Sequence, residues 1–244
     1  MNRLLLISNS TMAGEGYLDW PKQYITDFLK KDISKVLFIP YAGIGLSDGG
    51  AESSYAVYEE KVKKVYAALG YDLSSIHREA DATEAIKNAE SIAVGGGNTF
   101  HLVGMLHKHG LIDPIRERVR SGAPYMGWSA GANIACPSLK TTNDMPIYEP
   151  ESFATLNLIP FQINPHYLDA NPDGHAGETR EQRINEFLKV NPGLTVAGLR
   201  EGCLLEIEGE RMLLKGKHSL RIFRHGLEPK ELNSGDILDF LMNA

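Results

Sequence analysis

The chain has 244 residues, a formal net charge of −6 and the apolar and charged fractions of an ordinary globular protein. That length suits one α/β domain over residues 1–244, large enough to bury a core without staples. The negative balance, with no long basic run (the densest, Lys215 to Arg224, is broken by Ser and apolar residues), argues against nucleic acid or an anionic membrane as a partner.

In chain order, MNRLLLIS carries an apolar run too short for a signal peptide, and Leu4 to Ile7 reads as a buried strand that stops at Ser8-Asn9-Ser10. Pro21 suits the first turn of a helix with Tyr24, Ile25, Phe28 and Leu29 on one face. Val36 to Ile39 is a second strand, ended by Pro40 and a glycine-rich loop, Gly43 to Gly50. Glu52 to Leu69 has helical spacing at Tyr55, Tyr58, Val62, Val65, Tyr66 and Leu69, and a third strand follows over Tyr71 to Ile76. Asp81-Ala-Thr-Glu84 has capping-box spacing and opens a short helix to Ala89. Ile92 to Val94 is a strand halted by Gly95-Gly96-Gly97-Asn98; Thr99 to His109 and Pro114 to Arg120 are helical; Tyr125 to Trp128 is a strand running into Ser129. Residues 137–172 are rich in Pro and Asn and lack periodicity, as functional loops do. A helix over Glu178 to Val190, a strand over Leu194 to Leu199 and an antiparallel tail from Cys203 to Phe223 complete the pattern. Buried strands alternating with helices predict a mainly parallel sheet flanked by helices on both faces, with a small antiparallel C-terminal part.

The chemistry is concentrated in Gly127-Trp128-Ser129-Ala130-Gly131, a Gly-x-Ser-x-Gly sequence at a strand-to-helix junction. So tight a turn strains its central residue and demands small neighbours. It also exposes the Ser129 hydroxyl and lets the Ala130 amide face a developing oxyanion. A serine N-cap on a glycine-flanked helix has the same sequence. Gly95-Gly96-Gly97 matches either a second oxyanion donor, at Gly96 or a neighbour, or a phosphate-binding turn; Phe100 stands where Gly-x-Gly-x-x-Gly needs its last glycine, which favours the former. Among eight histidines, His166, just past the apolar stretch Phe161 to Ile163, is favoured as base over His175, while His101, His107 and His109 read as surface or boundary residues of one helix. The orienting carboxylate is Asp144 or Glu201, which spacing does not separate. Cys136 and Cys203 read as buried free thiols, and no metal-ligand spacing is present.

Seven segments, among them Leu4-Leu-Leu-Ile-Ser-Asn-Ser10, Val94-Gly-Gly-Gly-Asn-Thr-Phe100, Gly127-Trp-Ser-Ala-Gly-Ala-Asn133, Thr141-Thr-Asn-Asp-Met-Pro146, Gln162-Ile-Asn-Pro-His166 and Gly177-Glu-Thr-Arg-Glu-Gln-Arg183, resemble in order the peptidase E family of aspartyl dipeptidases. The resemblance covers roughly the first 200 residues. It implies a fold like that of class I glutamine amidotransferases, Ser129 as nucleophile and His166 as general base. Glu201 is favoured as triad acid because nucleophile, His and Glu follow that order in the amidotransferases. Asp144 would then support the active-site loop or help to bind substrate. The resemblance further implies hydrolysis of Asp-X dipeptides without metal or cofactor. Arg180 would hold the substrate's aspartate side chain, although a solvated arginine at a helix start has the same sequence. A monomeric cytoplasmic enzyme acting on small acidic dipeptides is expected. The alternatives are a cyanophycinase-like β-aspartyl peptidase and a catalytically silent acidic-peptide-binding protein.

Overall fold

In a computed structural model, which describes residues 2–30, 32–171, 174 and 176–242, the apolar runs become the strands of a seven-stranded sheet. His175, and Pro172 at the end of the predicted loop, lie outside the described residues. The elements in chain order are β1 (Arg3–Ile7), α1 (Lys22–Leu29), β2 (Lys35–Ile39), α2 (Ala51–Ala68), β3 (Asp72–Ser75), α3 (Ala82–Asn88), β4 (Ile92–Val94), α4 (Thr99–Lys108), α5 (Ile112–Arg120), β5 (Tyr125–Trp128), α6 (Ala130–Asn133), β6 (Gln162–Tyr167), α7 (Arg180–Val190), β7 (Thr195–Arg200), β8 (Cys203–Glu208), β9 (Arg211–Gly216), β10 (Leu220–Arg224) and β11 (Lys230–Leu232).

The large sheet has the order β3-β2-β4-β5-β1-β8-β9; its first five strands are parallel, and β8 and β9 extend it antiparallel. The strands read as unbroken apolar runs because both faces are covered. Side chains alternate between the faces: Leu5 and Ile7 of β1, with Phe38 and Met126, pack against α1 and α2, whereas Leu4 and Leu6, with Ile39 and Val94, pack against α3 to α6.

A second, four-stranded sheet, β11-β10-β7-β6, separates the tail strands more than the sequence suggests. β8 and β9 form the expected hairpin, but β10 leaves them and pairs antiparallel with β7. The inner face of this sheet (Ile163, Ala197, Leu199, Leu220, Ile222) joins the core beside α4 to α6, and α7 packs on its outer face through Ile184 and Leu188.

The expected placement of His166 in a loop beyond a strand is corrected: it lies within β6, which pairs parallel with β7 through Tyr167 and is irregular between Pro165 and Tyr167. Pro165 fits there because β6 is an edge strand and needs no ladder donor on its open side. That open edge is closed by side chains of the predicted loop and of α6. Asn133 and Thr141 donate to the Ile163 carbonyl at 2.9 and 2.8 Å, and Asn143 donates to the Pro165 carbonyl at 2.8 Å. His101, expected at the surface or boundary, is buried: it is 9% exposed, and its Nδ1 lies 2.7 Å from the Tyr41 carbonyl oxygen.

Candidate active site

Ser129 follows the last residue of β5 and precedes α6, with a backbone φ of 54° that side chains other than glycine seldom adopt. Holding a serine there costs on the order of 1–3 kcal/mol, so the surroundings must enforce it. They do so by close packing. A Cβ on Gly127 would collide with the Gly131 carbonyl, and a Cβ on Gly131 would collide with the Val94 carbonyl. The Ser129 amide donates to the Ile7 carbonyl oxygen at 2.9 Å, which fixes the turn to the end of β1.

The turn points the Ser129 hydroxyl at His166, whose Nε2 lies 2.9 Å from Oγ; its Nδ1 lies 2.6 Å from Glu201 Oε1. The three residues come from different places: Ser129 from the end of β5 in the large sheet, His166 from β6 in the small sheet, and Glu201 from the residue after β7. His166 also has a positive φ, 53°, because it occupies the irregularity of β6.

Ser8 and Asn9 connect these parts, a role not legible in the sequence beyond two polar residues ending a strand. The His166 amide donates to Ser8 Oγ at 3.0 Å, and that hydroxyl donates in turn to the Leu199 carbonyl at 2.7 Å. The Gly202 amide, next to Glu201, donates to Asn9 Oδ1 at 2.8 Å. Both side chains belong to residues at most 1% exposed, where an unpaired polar group would be costly. Three consecutive residues, Ile7, Ser8 and Asn9, thus hold the segments that carry the serine, the histidine and the glutamate. Glu201 gains a further anchor from its neighbour Arg200, which donates to Asp169, Ser219 and Glu231. These two carboxylates raise the Arg200 pKa above its ordinary value, and their bonds to Arg200 lower their own.

Gly96 faces the serine from the other side. A Cβ there would stand 2.8 Å from Ser129 Cβ and 3.0 Å from the Trp128 carbonyl oxygen, so only glycine lets the loop approach. Its carbonyl is held by Tyr58, whose hydroxyl donates at 3.0 Å. Tyr58 in turn accepts from Tyr17 Oη at 2.9 Å and Trp128 Nε1 at 3.0 Å, and that indole also donates to Tyr17 Oη at 2.9 Å. Burial is the main reason that the Tyr58 pKa is pushed up to about 12 and that of Tyr17 well above its ordinary value, so both remain neutral donors. Among the described residues the amides of Gly96 and Ala130 donate to no protein acceptor. A cleft of about 530 Å³, a size usual for small-molecule sites, opens over Ser129, His166 and Gly96.

Asp144 stands apart from the histidine. Its Oδ2 accepts from the Thr99 amide (2.7 Å), the Thr99 hydroxyl (2.6 Å) and the Thr142 hydroxyl (3.0 Å), at the start of α4 where a helix favours negative charge. Asn98, between the Gly96 loop and α4, donates to the Met145 carbonyl at 2.8 Å, so this segment clamps the glycine loop from outside. Arg180 lines a different cavity of about 160 Å³ with Asp144, Asn143 and Asn164, and is not part of the lining of the Ser129 cleft. Burial chiefly, then Arg183, lowers its pKa, and Asp144 opposes them. Among the described residues no group of His, Cys, Asp or Glu is arranged to hold a metal ion.

The family model described as Peptidase family S51 matches residues 4–215. The chain is 50% identical over 240 residues to the Peptidase E of a Nostoc species, covering 98% of this chain and 96% of that one. It is 46% identical over 242 residues to the Peptidase E of Streptomyces coelicolor (99% and 95% covered), and 46% over 232 residues to that of Salmonella typhimurium (95% and 98% covered). A crystal structure of a peptidase from an acI-B1 Actinobacterium superposes with a TM-score of 0.70 at 19% identity over 98% of this chain and 96% of that one, a likeness of fold. A family model spanning most of the sequence and relatives half or nearly half identical over almost their whole length lead to one assignment: the chain belongs to peptidase family S51.

Proposed function

We propose that this S51 peptidase is a serine dipeptidase that hydrolyses Asp-X through an acyl-enzyme. The observation that carries the reading is the chain of contacts from Ser129 Oγ through the His166 ring to Glu201, set on a strained turn beside the Gly96 loop. His166 Nε2 takes the Ser129 proton as Oγ attacks the carbonyl carbon of the peptide bond, and Glu201 stabilises the resulting imidazolium. The Gly96 and Ala130 amides stabilise the oxyanion; losing one such donor typically costs ~100- to 1000-fold in rate. The imidazolium then protonates the leaving amine, the C–N bond breaks, and water activated by the same ring releases the aspartyl group and restores the serine.

The aspartate preference rests on the resemblance to the peptidase E family. Arg180 is proposed as the partner of the aspartate side chain. Its cavity borders the strand that carries His166: Asn143, in its lining, bonds the Pro165 carbonyl. Asp144 acts in this reading through the Gly96 loop. The reading of residues 1–244 as one domain is supported by a core that draws on both sheets. None of the described helices is long and apolar enough to cross a membrane. We assign the enzyme to the cytoplasm, acting on small acidic dipeptides, with its oligomeric state open and a monomer favoured.

The test is a panel of Asp-Leu, Glu-Leu, Asn-Leu and N-acetyl-Asp-Leu. Asp-Leu should be cleaved at least tenfold faster than the others in kcat/KM, since one misplaced charged hydrogen bond costs about 1.5–3 kcal/mol. Equal cleavage of Glu-Leu would remove the strict aspartate preference, and preferential cleavage of the acetylated peptide would remove the dipeptidase reading.

A further inference from the structure

The Ser129 cleft is lined by Ser10, Tyr17, residues 42–46, Tyr58, Lys61, residues 96–98, Ser129 and His166. One of these side chains carries a permanent charge, Lys61, and none is acidic. An Asp-X dipeptide brings two carboxylates, the aspartate side chain and the C-terminus of X. A carboxylate leaving water for this cleft needs a cation, and Arg180, proposed for the aspartate side chain from the neighbouring cavity, leaves the second carboxylate without one.

Lys61 has no competing partner among the described residues. It enters no salt bridge, and the positions one turn away on α2 are Val57, Tyr58, Lys64 and Val65, none of them an acid. Its ammonium nevertheless has a defined seat, 4.0 Å above the centre of the Tyr17 ring. That ring is fixed by the hydroxyl bonds to Tyr58 and Trp128, and Tyr58 also holds the Gly96 carbonyl. The same network therefore sets the position of the cation and of the glycine loop beside the nucleophile. An aromatic face takes up only part of the ammonium and leaves N–H donors for a ligand.

We infer that Lys61 is the counter-charge for a substrate carboxylate in the Ser129 cleft, and hence a specificity-determining residue. The inference rests on the reading of the cleft as an Asp-X site. It is tested by comparing wild type, Lys61→Met and Lys61→Arg on Asp-Leu, Asn-Leu and Asp-Leu amide, with Ki as a competitor where an analogue is not turned over. Lys61 is exposed, so the Met variant should fold, which its circular dichroism checks. The methionine variant should lose roughly 10- to 100-fold in kcat/KM on Asp-Leu, mainly through KM, and the arginine variant should recover most of it. A collapsed ratio of Asp-Leu to Asp-Leu amide identifies the C-terminal carboxylate as the ligand; a collapsed ratio of Asp-Leu to Asn-Leu identifies the side chain. If all three compounds weaken in parallel, or none changes, the inference is overturned. A wild type that does not hydrolyse Asp-Leu speaks instead against the proposed function, and the same ratios in Ki, against whichever dipeptide it does hydrolyse, still decide the role of Lys61.

Discussion

Ser129→Ala is expected to lower kcat on Asp-Leu on the order of a million-fold, the loss typical of removing the nucleophile from a serine triad, while the protein stays folded. The oxygen it removes is the one in contact with His166 Nε2 at 2.9 Å, and no other hydroxyl or thiol bonds to that nitrogen among the described residues. Alanine keeps the Cβ, so the turn at φ 54° carries the same backbone strain in both proteins and the comparison isolates the hydroxyl. Steady-state turnover and the thermal unfolding midpoint should be read on the same preparations. Near-wild-type turnover from a folded variant would remove the serine from the mechanism.

The second large effect separates the two carboxylates that residue spacing leaves open. Glu201→Gln should cost roughly 10,000-fold in turnover, the scale seen when a triad acid becomes an amide. The Glu201 carboxylate accepts from Nδ1, which leaves Nε2 free to take the serine proton; an amide can donate to Nδ1 instead and stabilise the wrong tautomer. Asp144→Asn should behave differently. Asp144 Oδ2 gathers three donors at the start of α4, so its loss should appear as roughly 1–3 kcal/mol of stability and a much smaller drop in turnover. The opposite pattern, with Asp144→Asn taking the large kinetic loss, would contradict the triad.

The parallel half of the fold is legible because β1, β2, β4 and β5 are buried on both faces and appear as uninterrupted apolar runs. The serine turn is legible for a related reason: Gly127 and Gly131 are required by backbone contacts that no other residue permits. β6 is hidden because Asn164, Pro165 and His166 lack strand propensity, and the strand is stabilised instead by β7 and by Asn133, Thr141 and Asn143 on its open edge. The departure of β10 to a second sheet has no local signal, since a hairpin-like spacing does not specify which sheet takes the next strand. The choice of Glu201 over Asp144 at the histidine depends on β6 pairing with β7, and the work of Ser8 and Asn9 on bonds that span 158 and 193 residues to the end of β1. Lys61 is one more surface lysine in sequence; only the cleft around it separates it from Lys63 and Lys64.

The central claim is that the Ser129 oxygen is the atom that becomes acylated, and labelling with a fluorophosphonate tests it directly. Peptide mapping by mass spectrometry should find one phosphonyl group on Ser129, with hydrolysis of Asp-Leu falling in proportion to labelling and excess Asp-Leu slowing both. Full turnover from protein labelled at Ser129, loss of turnover with the label elsewhere, or a Ser129 that stays unmodified would contradict the account.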